Sequence, residues 1–129
     1  YASRHNKKPP IEIGGFFLSF VAEKDTAWDF GVRVNGDSME PVYHDGQIVW
    51  VEKKVALRPG EAGIFICNGE GYLKVFELCE PSEEELDDYV DSYGVLRSKA
   101  VLVSYNKQYS PKVVLPSDSF SVIGYVVSR

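Results

Sequence analysis

Val34-Asn35-Gly36-Asp37-Ser38-Met39-Glu40-Pro41, followed by Asp45-Gly46, is the stretch on which the reading of this 129-residue chain turns. Before it, Asp29 to Asn35 alternates. Phe30, Val32 and Val34 fall on one face, and Gly31, Arg33 and Asn35 on the other, as in a half-buried strand. After it, Gln47 to Glu52 carries Ile48-Val49-Trp50-Val51, the pattern of a buried strand. Ser38 is therefore expected on a sharp connection, with Ser38 to Tyr43 as a short helical turn and His44-Asp45-Gly46 sending the chain back. A serine held there is either a nucleophile or a turn-capping residue, and the turn alone fits both.

Working outward, Ile11 to Ala22 reads as a first strand with a bend or bulge at Gly14-Gly15. Arg58-Pro59-Gly60 marks a turn. Gly63 to Cys67 and Tyr72 to Cys79 are hairpin partners joined through Asn68-Gly69-Glu70-Gly71. Ala100 to Tyr105 and Phe120 to Val127 are further strands, separated by turns at Pro111 and Pro116. Short strands with Gly and Pro punctuation predict a mostly-β domain, a folded sheet or barrel-like, with one short acidic helix near 82–92. There Ser82 with Glu85 three residues on forms a capping box, and Leu86, Tyr89, Val90 and Tyr93 recur at helical spacing. Residues 1–10 are basic and end in Pro9-Pro10, an arm or linker, leaving 11–129 as one domain. The chain does not begin with Met, so a preceding part of a longer protein is expected.

Composition is that of a folded globular domain, with 44% apolar and 13% aromatic residues. The net charge of −5 is unevenly placed. Glu80, Glu83, Glu84, Glu85, Asp87, Asp88 and Asp91 fall in one segment, and without them 12 acids face 14 bases. That segment is either an acidic docking surface or a solvated helix face. No clustered bases mark a phosphate-binding surface, so this chain is not expected to contact DNA itself. The longest near-apolar run, Gly14 to Ala22, is far short of the roughly 20 residues a membrane-spanning helix needs, and no signal-peptide pattern follows the start. A cytoplasmic protein with no membrane contact is expected. Cys67 and Cys79 lie apart from each other and from the two histidines, so neither a metal nor another cofactor is expected. Both read as reduced, buried thiols, with a disulfide between them as the alternative.

A serine hydroxyl needs a base. His5 lies in the polar arm. His44 beside Asp45 would complete a Ser-His-Asp set, yet His44-Asp45-Gly46 is already a sufficient turn signal. Lys74 is the other candidate. In Tyr72-Leu73-Lys74-Val75-Phe76-Glu77-Leu78, alternation puts Lys74 on one face with Tyr72, Phe76 and Leu78, read as the inward one. Burial there lowers an amine's pKa and makes it a general base; the alternative is a lysine snorkelling from a strand edge. The Ser38 and Met39 backbone amides, free of helical partners at the start of a turn, would hold an oxyanion.

Taken together, Val34-x-Gly36-Asp37-Ser38-Met39-x-Pro41 with Asp45-Gly46, then Lys74 in a strand 36 residues on, resembles the LexA-type serine peptidase family. That family includes LexA, lambda-like phage repressors and UmuD. Ser104-Tyr105-Asn106-x-x-Tyr109-x-Pro111 and the closing Ile123-Gly124-Tyr125-Val126-Val127 are similar to its C-terminal strands. The resemblance implies a Ser38 nucleophile, a Lys74 base and a homodimer. It also implies a repressor of the phage or SOS-response kind, with DNA bound through a missing N-terminal domain. Autoproteolysis would be stimulated by a RecA-like co-protease, or release driven by an antirepressor. The family's cleavage site is usually Ala-Gly upstream of the serine, and none precedes Ser38. Gly14, Gly15, Ala22 and Glu23 are the small-residue candidates upstream, and Ala62-Gly63 is expected to be structural. A fold that keeps the dyad but only dimerises and senses is the alternative.

Overall fold

The computed structural model describes residues 11–13, 16–20 and 29–127, the first two segments as backbone only. Among the described residues, nine strands form one open sheet: β1 (Ile11–Ile13), β2 (Phe16–Phe20), β3 (Phe30–Arg33), β4 (Ile48–Lys53), β5 (Ala62–Cys67), β6 (Glu70–Cys79), β7 (Lys99–Val103), β8 (Lys112–Val113) and β9 (Phe120–Val126). Their order is β1-β2-β3-β4-β9-β5-β6-β7-β8, and every pairing is antiparallel. The sheet is folded rather than closed, with β1 and β8 at its edges.

Alternation in the sequence sets which side chains go inside. Phe30, Val32 and Val34 are buried with Val49 and Val51 of β4, Ala62 and Ile64 of β5, Leu73 and Val75 of β6, and Val126 of β9. Met39 and Tyr43, from the connection after β3, join this cluster. A second cluster, Phe65, Leu102 and Val114, has Leu57, Tyr72, Phe76 and Phe120 packed against it. β5 contributes to both, Ile64 to one and Phe65 to the other, which is why it reads as an apolar run without polar alternation. Hydrophobic burial of this kind, at roughly 25 cal/mol per Å2, is the main force that holds such a sheet together.

Several expectations need correction. Ile11 to Ala22 is not one bent strand: β1 and β2 pair antiparallel with Ile13 opposite Phe16, the register of a tight hairpin. The loop before β6 is only two residues, Asn68-Gly69, because both adopt positive φ (53° and 84°) and let Cys67 pair with Glu70. Cys79 is exposed, whereas Cys67 is buried, and both thiols are free. The acidic helix is a 3-10 helix, Glu83–Tyr89, shorter than 82–92. Val90 is already extended and bridges to Leu96, so the helical stripe is cut, with Tyr89 buried and Tyr93 89% exposed. The cause is Asp91. Its carboxylate accepts the Tyr93 and Val95 N–H groups and pairs with Arg97, a local alternative to helical bonding.

The basic arm 1–10 and the small-residue positions Gly14, Gly15, Ala22 and Glu23 lie outside the described residues. Ala62 and Gly63 open β5, where Gly63 is packed so tightly that an added Cβ would sit 2.3 Å from Leu57 Cδ1 and 2.6 Å from the Gly124 carbonyl oxygen. Among the described residues, no helix is long and apolar enough to cross a membrane.

Candidate active site

The turn that carries Ser38 is built from its ends inward. Val34 N–H donates to the Gln47 carbonyl (2.7 Å) and Gly46 N–H to the Val34 carbonyl (2.8 Å), extending the β3–β4 ladder to the base of the loop. Asp45 accepts the Gly36 N–H at 2.7 Å, which fastens one side of the loop to the other. Gly36 has φ of 95°, a conformation that a side chain would strain. Met39 is 1% exposed and plants the turn in the core, leaving Ser38 half-buried beside it. Tyr43 N–H donates to the Met39 carbonyl at 2.9 Å, closing one short helical turn as expected.

Lys74 arrives from the middle of β6. Its Nζ donates to Ser38 Oγ at 3.0 Å and to Ser104 Oγ at 2.8 Å. Serine and lysine are thus within hydrogen-bond reach across 36 residues of sequence. Both faces of β6 meet apolar clusters, so the face that carries Lys74 is covered only in part. Leu73 and Val75 belong to the core, while Tyr72, Lys74 and Phe76 are half-buried and Leu78 is 48% exposed. What covers the amine is the Ser38 turn, Ser104 and the ring of Tyr109, whose centroid lies 5.7 Å from Nζ. That partial burial pulls the Lys74 ammonium below the ordinary lysine value. Among the described residues no carboxylate forms an ion pair with it.

His44 does not join the site. Its Nδ1 is 2.6 Å from Glu40 Oε1, in a solvent-exposed pair, and Asp45 is occupied by Gly36. A Ser-His-Asp set does not form. Among the described residues neither the Ser38 nor the Met39 amide donates a hydrogen bond, so both candidate oxyanion donors are available.

The segment just past β7 supplies residues that the sequence reading did not place in the site. Ser104 is a buried polar side chain, 2% exposed. Strand register predicts its position, since Val75 pairs with Val103 and Lys74 therefore faces Ser104. Asn106 N–H donates to the Ser38 carbonyl at 2.9 Å, and its side-chain Nδ2 donates to the Asp37 carbonyl at 3.1 Å. Tyr109 donates its hydroxyl to the Asp37 carboxylate. The available signal was the polar Ser104-x-Asn106-x-x-Tyr109 run after an apolar strand, but without the β6–β7 pairing it points at nothing.

A mostly-β domain that presents a serine on a turn, hydrogen-bonded to a half-buried lysine, has the layout of a hydrolase that works without histidine. The family model described as Peptidase S24-like matches residues 12–87, more than half of the chain, and includes both Ser38 and Lys74. The chain therefore belongs to the Peptidase S24-like family, the LexA-type serine peptidases.

Proposed function

We propose that this domain is a Ser-Lys dyad peptidase that cleaves its own polypeptide, and that it is the dimerising, regulatory part of a LexA- or phage-type repressor. The observation that carries the reading is the 3.0 Å approach of Lys74 Nζ to Ser38 Oγ at a lysine that burial makes easier to deprotonate. The neutral amine takes the Ser38 hydroxyl proton as Oγ bonds to the substrate carbonyl carbon. The carbonyl oxygen becomes an oxyanion facing the Ser38 and Met39 amides. The C–N bond then breaks as the Lys74 ammonium returns its proton to the leaving amine. Water, deprotonated in turn by Lys74, hydrolyses the acyl-serine ester and regenerates the dyad.

In this reading DNA is contacted through another domain, the active form is a homodimer, and a RecA-like co-protease or an antirepressor triggers the change. Incubating the full-length protein at alkaline pH, alone and with activated RecA filaments, is the test. Cleavage lost in both Ser38→Ala and Lys74→Ala supports the proposal, and cleavage that persists in either variant sinks it. That residues 1–37 hold no Ala-Gly favours a second reading, a non-cleaving dimerisation and sensor domain. A full-length protein that stays intact under both conditions while remaining a stable dimer selects that second reading.

A further inference from the structure

Asn106 touches neither Ser38 Oγ nor Lys74 Nζ, yet it makes two bonds to the backbone of the turn, one to each peptide that flanks Ser38. Its N–H holds the Ser38 carbonyl, which belongs to the peptide linking residues 38 and 39. Its Nδ2 holds the Asp37 carbonyl, which belongs to the peptide linking 37 and 38. The side chain's orientation is itself fixed, because Oδ1 accepts the Gln108 N–H at 3.0 Å and so leaves the NH2 group for Asp37. Both held peptides are trans, since the cis bond in this turn is Glu40-Pro41. In a trans peptide the C=O and N–H point in opposite directions. Fixing the Asp37 carbonyl therefore aims the Ser38 N–H, and fixing the Ser38 carbonyl aims the Met39 N–H. A hydrogen bond accepted at a carbonyl also polarises the N–H of the same peptide, making it a stronger donor.

We propose that Asn106 is the positioning residue of the oxyanion hole: its two hydrogen bonds orient and polarise the Ser38 and Met39 amides. The inference rests on the Ser-Lys reading above. It also gives the segment after β7 a double task. Ser104 holds the base, and two residues on Asn106 holds the donors that stabilise the oxyanion.

The test uses the chain as it stands and a small fluorophosphonate ester, which reports on the hole because its P=O oxygen must seat there. Ser38 Oγ loses its proton to Lys74, the Oγ–P bond forms, and fluoride leaves as the P–F bond breaks. In wild type, Ser38 is labelled with a rate that rises with pH as Lys74 deprotonates, and Ser38→Ala and Lys74→Ala are not labelled. A wild type that is not labelled overturns the dyad reading and this inference with it. With wild-type labelling established, Asn106→Ala is expected to slow it about 10- to 100-fold, less than full loss of a donor costs. The slowing holds at every pH, with the midpoint of the profile unchanged, because the dyad itself is left in place. The 15N amide resonance of Ser38, whose peptide loses the Nδ2 bond, shifts. That of Met39 stays, since the Asn106 N–H survives the substitution. Labelling of Asn106→Ala within twofold of wild type, or equal movement of both amide resonances, would overturn the inference while leaving the dyad intact. If Asn106→Ala does not fold, the near-isosteric and uncharged Asn106→Leu, which removes the Nδ2 donor without adding a charge, gives the same readings under the same criteria.

Discussion

Ser104→Ala is the substitution that probes the base most directly. Ser104 is 2% exposed, and its Oγ accepts from Lys74 Nζ at 2.8 Å, while Ser38 Oγ accepts at 3.0 Å. In the ammonium form both contacts are charge-assisted. In the neutral form the amine accepts the Ser38 proton and keeps one ordinary bond to Ser104. A hydrogen bond from a charged donor contributes about 1.5–3 kcal/mol and a neutral one about 0.5–1.5 kcal/mol. Deleting Ser104 therefore costs the ammonium about 1 kcal/mol more than the amine, less whatever water recovers at this half-buried site. At about 1.4 kcal/mol per pH unit, the Lys74 midpoint moves downward by less than one unit. Loss of one of its two anchors also lets Nζ wander, and displacements of about 1 Å cost up to about 100-fold in rate. The expected profile thus has a lower plateau, by about tenfold, and an earlier rise. The assay is the pH dependence of Ser38 phosphonylation, with circular dichroism to confirm that the variant is folded. An upward or absent shift of the midpoint would refute the claim that Ser104 stabilises the protonated amine.

Lys74→Met should abolish Ser38 reactivity and stabilise the fold near neutral pH. Burial holds the folded pKa below the unfolded one, so the unfolded chain binds the extra proton and stability at this residue rises as pH climbs towards the ordinary lysine value; the gain in Tm should shrink in alkali. Tyr109→Phe keeps the ring by Lys74 but releases the Asp37 carboxylate, so the labelling profile should move to higher pH; an unmoved midpoint would show that Asp37 does not sense Lys74. Gly63→Ala forces a Cβ to within 2.6 Å of the Gly124 carbonyl oxygen, a backbone atom that cannot swing aside, and should cost about 1–3 kcal/mol in urea unfolding. Glu85→Gln removes a carboxylate held below its ordinary pKa first by the Ser82 N–H and then by Lys99. Its contribution is present above the ordinary carboxylate range and lost as pH falls through the depressed value, so the variant's Tm should lose part of its decline in acid.

The strands that carry this site were legible because each has its own periodic signal. Phe30, Val32 and Val34 alternate, β5 is apolar throughout, and the turn residues between them are glycine, proline and aspartate. The Ser38–Lys74 pair was legible only as a combined pattern, since each residue alone has a structural excuse. Parity settles only part of Lys74's surroundings: alternation says which residues share a face, and both faces of β6 meet an apolar cluster. The side chains of Leu73 and Val75 take the core, and the lysine's burial comes from a turn 36 residues away. Ser104 and Asn106 depend on the β6–β7 register, a long-range pairing with no local signature. The acidic stripe misled for the opposite reason. Its spacing is helical, but the competing bonds of Asp91 are made by a side chain and leave no periodicity.

The pairing of Asp37 with Tyr109 directs the carboxylate beside the nucleophile at a hydroxyl, while Lys74 bonds to two serines. A general-base lysine must give up its proton at ordinary pH, and a nearby free carboxylate would oppose this by favouring the ammonium. Asp37 is the residue immediately before the nucleophile. The fold commits its carboxylate to the Tyr109 hydroxyl, which raises the Tyr109 pKa, while its backbone carbonyl is held by Asn106. Lys74 is left with two hydroxyls and an aromatic face as its neighbours, contacts that orient the amine without supplying an opposite charge. Burial then acts unopposed by an ion pair, and the direction of its effect is the one that base catalysis by lysine requires. Segments 36–39, 72–76 and 104–109 each bring a part of this arrangement. The chemistry therefore depends on the folded sheet as a whole, and it cannot be assigned to the Gly-x-Ser turn alone.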